Sequence, residues 1–335
     1  MMWLVKAGLV ACLLWSAYWY GAGFVMRQSI VNWFETQAKA GWQADYGDIF
    51  SSGYPTQHFT TLEAPALADP QTGMAWQADH LHIKNPAIWP GRQVWAFPVT
   101  PQRMSYLDQN LIVVADQMEA AFHLRPDLAL SVAELALTAG AWQITQGVQS
   151  VMSADDLTVS MRQSAVPETY QIDISAAQFQ PGNQVRRLTR AVIDVPETFQ
   201  TLALDMSVRF DRAWDISALE DRRPQPLEID LKLADLHWGA LRVLLAGKLV
   251  VDDQGWPTGQ VTIKAENWRD MLAVAEAAGA LTPTMNRTAT TFLDLMARSS
   301  GNPDALDVPL NINEGVITMG FIPVPLGRTS RFVLR

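Results

Sequence analysis

Two hydrophobic periods divide the chain. From Ala7 to Met26 the run AGLVACLLWSAYWYGAGFVM holds no charged residue, and about 20 apolar residues at roughly 1.5 Å each cross the hydrocarbon core of a bilayer. Lys6 precedes the run, Arg27 closes it, and Trp15, Tyr18, Trp19 and Tyr20 crowd its second half, where amphipathic rings suit the headgroup level. The pattern predicts a transmembrane signal-anchor over residues 1–26. A juxtamembrane helix is expected over 27–41, where Ile30, Val31, Trp33, Phe34 and Ala38 are spaced by polar residues up to Gly41.

Beyond Gly41 the period becomes two. Leu202, Leu204, Met206, Val208 and Phe210 alternate with Ala203, Asp205, Ser207 and Arg209, and Leu227, Ile229, Leu231 and Leu233 alternate with Glu228, Asp230 and Lys232. DLTVSMR, TYQIDIS and QVTIKAE repeat the pattern. One apolar and one wet face mark antiparallel sheet, because parallel strands are buried on both sides. VVDDQGWPTGQVTI reads as a hairpin, with Asp252, Asp253, Gly255, Pro257 and Gly259 between two β-rich runs. The predicted fold is therefore mainly β: elongated, curved antiparallel sheet over 42–335, interrupted by helices near 267–281, capped by Asn267, and near 284–299, after Pro283.

Composition narrows the function classes. Apolar residues make up 49% of the chain and charged residues 18%, so the chain should fold nearly throughout. The net charge is −9 and the basic residues are scattered, which argues against a nucleic-acid partner, since phosphate binding needs a concentrated positive face. Cys12 is the sole cysteine and lies inside the anchor, so neither a disulfide framework nor a catalytic thiol is expected beyond it. Leu9-Val10-Ala11-Cys12 has the outline of a lipobox, but the apolar run before it is short and continues past it. Ser16-Ala17 and Gly21-Ala22-Gly23 are the small residues that a cleaved signal would use. Lys6 and the amino terminus nearly balance Arg27 and Lys39, so orientation rests on the usual habit of a signal-anchor, which leaves the bulk of the chain outside the cytoplasm.

The stretch WQADHLHIKNP reads as one strand from Trp76 to Asn85, with Trp76, Ala78, His80, His82 and Lys84 on one face. Two histidines at i and i+2 can share a metal, but zinc needs further ligands, Lys84 would repel a cation, and His58, His123 and His237 lie in separate segments. A wet sheet face without metal is expected. No G-x-S-x-G, H-E-x-x-H, C-x-x-C or P-loop motif occurs. Asp155-Asp156 and Asp252-Asp253 sit among turn residues, where Asp bonds to backbone. Trp89 and Trp95 flank the loop WPGRQVW and are expected in the core. No catalytic residue and no cofactor is predicted.

Four stretches, GYPTQHFTTLEAPALADPQTGMAWQADHLHI, NPAIWPGRQVWAFP, GWPTGQVTIKAENWRDMLAVAEAAGAL and NEGVITMGFIPVPLG, resemble the bacterial envelope family known as domain of unknown function 2125. The closing strand, hairpin, helix and strand pattern is more distantly similar to AsmA-like and TamB-like membrane-anchored proteins, whose curved sheets are thought to hold lipids. The resemblance implies a bacterial envelope protein with no assigned chemistry, and together with the anchor and its usual orientation the expectation is a single-pass inner-membrane protein with its β region in the periplasm. The leading expectation is a non-enzymatic envelope protein that binds an acyl chain on a concave apolar sheet face, with Leu202, Leu204, Met206, Val208, Phe210, Ile229, Leu231 and Leu233 as its floor. A structural or assembly factor that binds another envelope protein is the alternative.

Overall fold

The computed structural model describes residues 2–70, 72–106, 109–299, 304–319 and 322–334. The chain divides into two compact units, residues 1–133 and 134–335. Both are built of antiparallel sheet.

The N-terminal unit opens with one unbroken helix, α1 (Met2–Lys39), which takes in both segments that the sequence predicts as anchor and juxtamembrane helix. It stops where Gly41 adopts φ +96° and donates its N–H to the Ala38 carbonyl, a conformation that only glycine enters freely. Ten strands follow: β1 (Gln43–Asp45), β2 (Ile49–Ser52), β3 (Gln57–Glu63), β4 (Ala66–Asp69), β5 (Met74–Gln77), β6 (His80–Pro86), β7 (Arg92–Ala96), β8 (Gln102–Tyr106), β9 (Gln109–Ala115) and β10 (Glu119–Leu124). They form two sheets, ordered β1-β4-β5-β8-β9 and β2-β3-β6-β7-β10. Successive pairs of strands therefore alternate between sheets. At four of the five crossings the chain turns at a buried small or ring-closed residue: Pro65, Ala78, Pro98 and Ala115 are all buried. Phe34 of α1 packs between the sheets with Ile49, Leu62, Leu81 and Ile83, and Leu67 and Trp76 close on this cluster from the first sheet.

The expected single strand from Trp76 to Asn85 is broken at one such corner. Trp76 belongs to β5 and His80 and His82 to β6, in different sheets. Alternation continues through Ala78 and Asp79 in the sequence, but a buried corner needs a small residue, and Ala78 satisfies the period and the corner alike.

The C-terminal unit contains β11 (Val132–Ala139), β12 (Trp142–Gln146), β13 (Gln149–Ala154), β14 (Leu157–Gln163), β15 (Thr169–Ser175), β16 (Gln180–Pro181), β17 (Thr201–Phe210), β18 (Pro226–Trp238), β19 (Leu241–Val251), β20 (Pro257–Glu266), β21 (Ala305–Asn313), β22 (Val316–Met319) and β23 (Ile322–Arg328). The helices are α2 (Asn183–Arg190), α3 (Ser217–Glu220), α4 (Trp268–Ala277) and α5 (Pro283–Ser299). Within this unit the strand order is β12-β13-β16 in one sheet and β11-β14-β15-β17-β18-β19-β20-β21-β22-β23 in the other. Buried Ala139, Ala154 and Ala176 again mark the crossings. Trp268 and Ala297 carry α4 and α5 onto Ala265, Leu306 and Val308. Asn267 does not cap α4 through its side chain: it sits at φ +58° and its Nδ2 donates to the Ala240 carbonyl instead, while its own carbonyl accepts the N–H groups of Asp270 and Met271.

Candidate functional site

The long sheet of the C-terminal unit is two-faced, and its registers show how. Met161, Ile172, Met206, Leu231, Gly247, Val261 and Leu310 stand opposite one another on successive strands, as do Val159, Ile174, Leu204, Ala234, Leu245, Ile263 and Val308. These two rows make one continuous apolar face. On the opposite face half-exposed charges pair across strands: Arg162 with Asp173 at 3.0 Å, Lys232 with Asp205 at 3.6 Å and Lys248 with Asp230 at 3.1 Å. Such pairs stabilise by under about 1 kcal/mol each, so the apolar face dominates the energetics of the sheet.

Burial varies along that face. Val208 and Phe210, at one end of β17, are sealed, and Phe210 meets Tyr170 and Trp214 edge to face. α4 and α5 close over the face at β20 and β21. Between these ends Ile172, Ile174, Leu202, Leu204, Met206, Ile229 and Leu231 are half-buried. They form an apolar floor that water partly reaches.

Seven of the eight floor residues read from the sequence keep the expected alternation. Leu233 does not. A bulge in β18 leaves Met206 opposite Leu231 but Asp205 opposite Leu233, so the extra residue, Lys232, turns Leu233 to the charged face. There Leu233 is 44% exposed and lines a hollow of about 220 Å³ with Thr158, Asp173, Ser175 and Ala203. Leu227 lies at a second shift, between the partners of Arg209 and Phe210. Leu245 joins the floor unannounced, and Ile263 joins it from the alternating run QVTIKAE. LRVLLAGKLVV has an unalternating apolar middle, Val243 to Gly247, and its inward set is legible only from the register with β18 and β20.

A second hollow, of about 990 Å³, lies in the N-terminal unit against β4, β5, β8 and β9, lined by Trp42, Leu67, Trp76, Arg103, Met104 and Leu111. Arg103 and the nearby Asp45 make it more polar than the floor. Trp76 donates its Nε1 hydrogen to Gln102 Oε1 at 3.1 Å, inside the unit.

The remaining sequence candidates are accounted for by local bonding. Asp252 Oδ1 accepts the N–H groups of Gln254 and Trp256, which is turn chemistry, whereas Asp156 Oδ1 accepts that of Ala177, 21 residues further on, and so ties two corners of the sheets together. Trp95 packs against Phe122 inside the N-terminal unit. Trp89, expected in the core, is instead 53% exposed at a hairpin tip: the sequence carries the same loop signal on both sides of Gly91, and only the sheet decides which ring turns inward. His80 and His82 approach at 4.4 Å between ring centroids on the less buried face of β6, and His82 Nδ1 bonds to Thr61 Oγ1 at 2.9 Å. Among the described residues no group of three His, Cys, Asp or Glu side chains is placed to hold a metal ion.

Burial, then the charges of His80 and Lys84, hold His82 below the usual imidazole range, and burial does the same to His58. An imidazole with a lowered folded pKa takes up its proton more readily once unfolded. Stability is thus complete above about pH 6.5 and is lost as the pH falls from there through the folded pKa. Replacing His80 and His82 together by Gln should leave unfolding near neutral pH within about 1 kcal/mol of the parent and reduce the acid sensitivity. A stoichiometric metal in the parent, absent from the variant on elemental analysis, would assign the pair a metal role instead.

A bacterial family profile, described as an uncharacterized protein conserved in bacteria, DUF2125, matches residues 19–329. The chain belongs to the DUF2125 family. The match begins at Trp19, within α1, and runs through both units, so the family's shared region takes in the later part of α1 as well as the sheets. A comparison with curated proteins found no match.

Proposed function

We propose that this DUF2125 protein is a non-enzymatic envelope factor, held in the inner membrane by α1 with its β units in the periplasm, which shelters an acyl chain on the apolar floor of its long sheet. The observation that carries the reading is the floor itself: two apolar rows across β14 to β21 whose residues on β15 and β17, with Leu231 beside them, are only half-buried. A sheet face of this kind has to be covered by protein or occupied by an apolar ligand. α1 supports the membrane part, because it is long and apolar enough to cross a bilayer. Its orientation follows the habit of signal-anchors. Native mass spectrometry of the detergent-purified protein should show a lipid leaving with it, and a reporter active only in the periplasm should work when fused downstream of the β units. Absence of any co-purifying lipid, with α1 still membrane-embedded, would favour a protein partner on the floor instead.

A further inference from the structure

The apolar run of α1 is longer than the part of the helix that stands free. Met2 to Leu14 are all exposed, and of these the uncharged residues Ala7 to Leu14 cover only about 12 Å of helix, against a hydrocarbon core of about 30 Å. From Trp15 onward one face of the run is bonded to the N-terminal unit, while Tyr20, Phe24 and Val25 on the rest of the helix stay exposed. Trp15 Nε1 donates to the Pro55 carbonyl at 3.0 Å, Tyr18 Oη to the Ala87 carbonyl at 2.7 Å and Trp19 Nε1 to the Gln57 carbonyl at 3.0 Å. Trp19 also stacks on buried His58 at 4.6 Å. A helix seated in this way cannot place its whole apolar run in lipid without bringing the adjoining hairpin tips with it.

Those tips are built for such a place. The β2–β3 tip carries Tyr54, 48% exposed, and the β6–β7 tip carries Ile88 and Trp89, 70% and 53% exposed. The segment after β10 adds Leu128, fully exposed. The three lie side by side: the Ala87 N–H bonds to the Thr56 carbonyl at 2.9 Å and the Leu124 N–H to the Gly91 carbonyl at 2.7 Å. Irregular backbone is tolerated at membrane depth only where its polar groups are satisfied within the protein. Here the carbonyls of Pro55, Gln57 and Ala87 accept hydrogen from the helix's own aromatic side chains. Tyrosine and tryptophan are also the residues that favour the headgroup boundary.

From the helix length and the tip chemistry we infer that the tips at 53–56, 86–91 and 125–131 form a lipid-contacting surface. On this inference α1 and the tips enter the facing leaflet together, with Ile88, Trp89 and Leu128 in the boundary between headgroups and acyl chains. The inference rests on the reading of α1 as a membrane anchor, and the test separates the two. An environment-sensitive fluorophore is placed on the native Cys12, or, in a Cys12→Ser background, on Ile88→Cys, Leu128→Cys or Val99→Cys. Val99 is exposed and apolar but follows β7 at the opposite end of that strand from Ile88. The full chain is reconstituted into phosphatidylethanolamine and phosphatidylglycerol vesicles with or without nitroxide-labelled lipid. Labels at 12, 88 and 128 should lose emission to the nitroxide lipid, and the label at 99 should not. Quenching at 12 alone would leave the anchor and overturn the lipid-contacting surface. No quenching at any site would overturn both. Protection of 88 and 128 from aqueous iodide without quenching by lipid would mean that protein covers the tips, and would also overturn the inference.

Discussion

Gly259→Ala should destabilise the C-terminal unit by about 3 kcal/mol or more. Gly259 holds φ +154°, and a Cβ there would lie 2.1 Å from the Lys248 carbonyl oxygen and 3.1 Å from Leu249 Cα. On the neighbouring strand a Cβ at Gly247 would lie 2.2 Å from the Gln260 carbonyl oxygen. β19 and β20 thus approach at two glycines that face each other's backbone, and no side-chain rotation relieves the clash, because the obstructing atoms belong to the ladder itself. The strands would have to part where they hold the edge of the apolar floor. Gly147→Ala is the control: Gly147 has φ +58° but nothing within 4 Å of the added carbon, so the cost should be the left-handed strain alone, about 1 kcal/mol. Thermal and denaturant unfolding of the solubilised protein measures both. Equal effects of the two substitutions would mean that the close approach of β19 and β20 is absent in solution.

Charge on the floor should separate a sealed core from an open one. Val208 is 4% exposed, and Val208→Asp would bury a carboxylate with no partner, costing several kcal/mol. Met206 and Leu231 lie two pairs along the same strands but are half-buried, so an Asp at either position reaches water and should leave the unit folded, with a loss of about 1–2 kcal/mol. Binding should respond in the opposite order of severity. Met206→Asp and Leu231→Asp should weaken capture of a fluorescent fatty acid at least about tenfold, equivalent to roughly 1.4 kcal/mol, because the chain would have to cover a charge. Unfolding and probe titration on the same preparations decide the matter. If Met206→Asp and Leu231→Asp unfold the protein as Val208→Asp does, and the parent captures no probe, the floor is a core and the acyl-chain reading fails.

How much of this was legible beforehand differs from element to element. The uncharged run before Arg27 and the two-residue alternation of β14, β15, β17 and β20 could be read directly, since each is a local pattern imposed by what one helix or one strand face must bury. The C-terminal helices were legible for the same reason. Corners were not: Ala78 continues the alternation of its neighbours, so the switch from one sheet to the other leaves no break in polarity. The small buried residues at 78, 115, 139, 154 and 176 are the trace it leaves, and that trace has meaning only once the sheets are known.

An antiparallel β protein with one apolar N-terminal helix is already specified by hydrophobic period, and the lack of a recognised catalytic motif by motif spacing, because both are properties of adjacent residues. Tertiary structure decided which residues share the floor. A single bulge at Lys232 sends Leu233 to the charged side, and pairing with β18 and β20 brings Leu245 onto the floor from a run with no alternation. It also decided that the aromatic half of α1 is seated on the hairpin tips. Register and docking depend on contacts between segments far apart in the chain, and those contacts are set by the packing of the whole sheet, which no local period records.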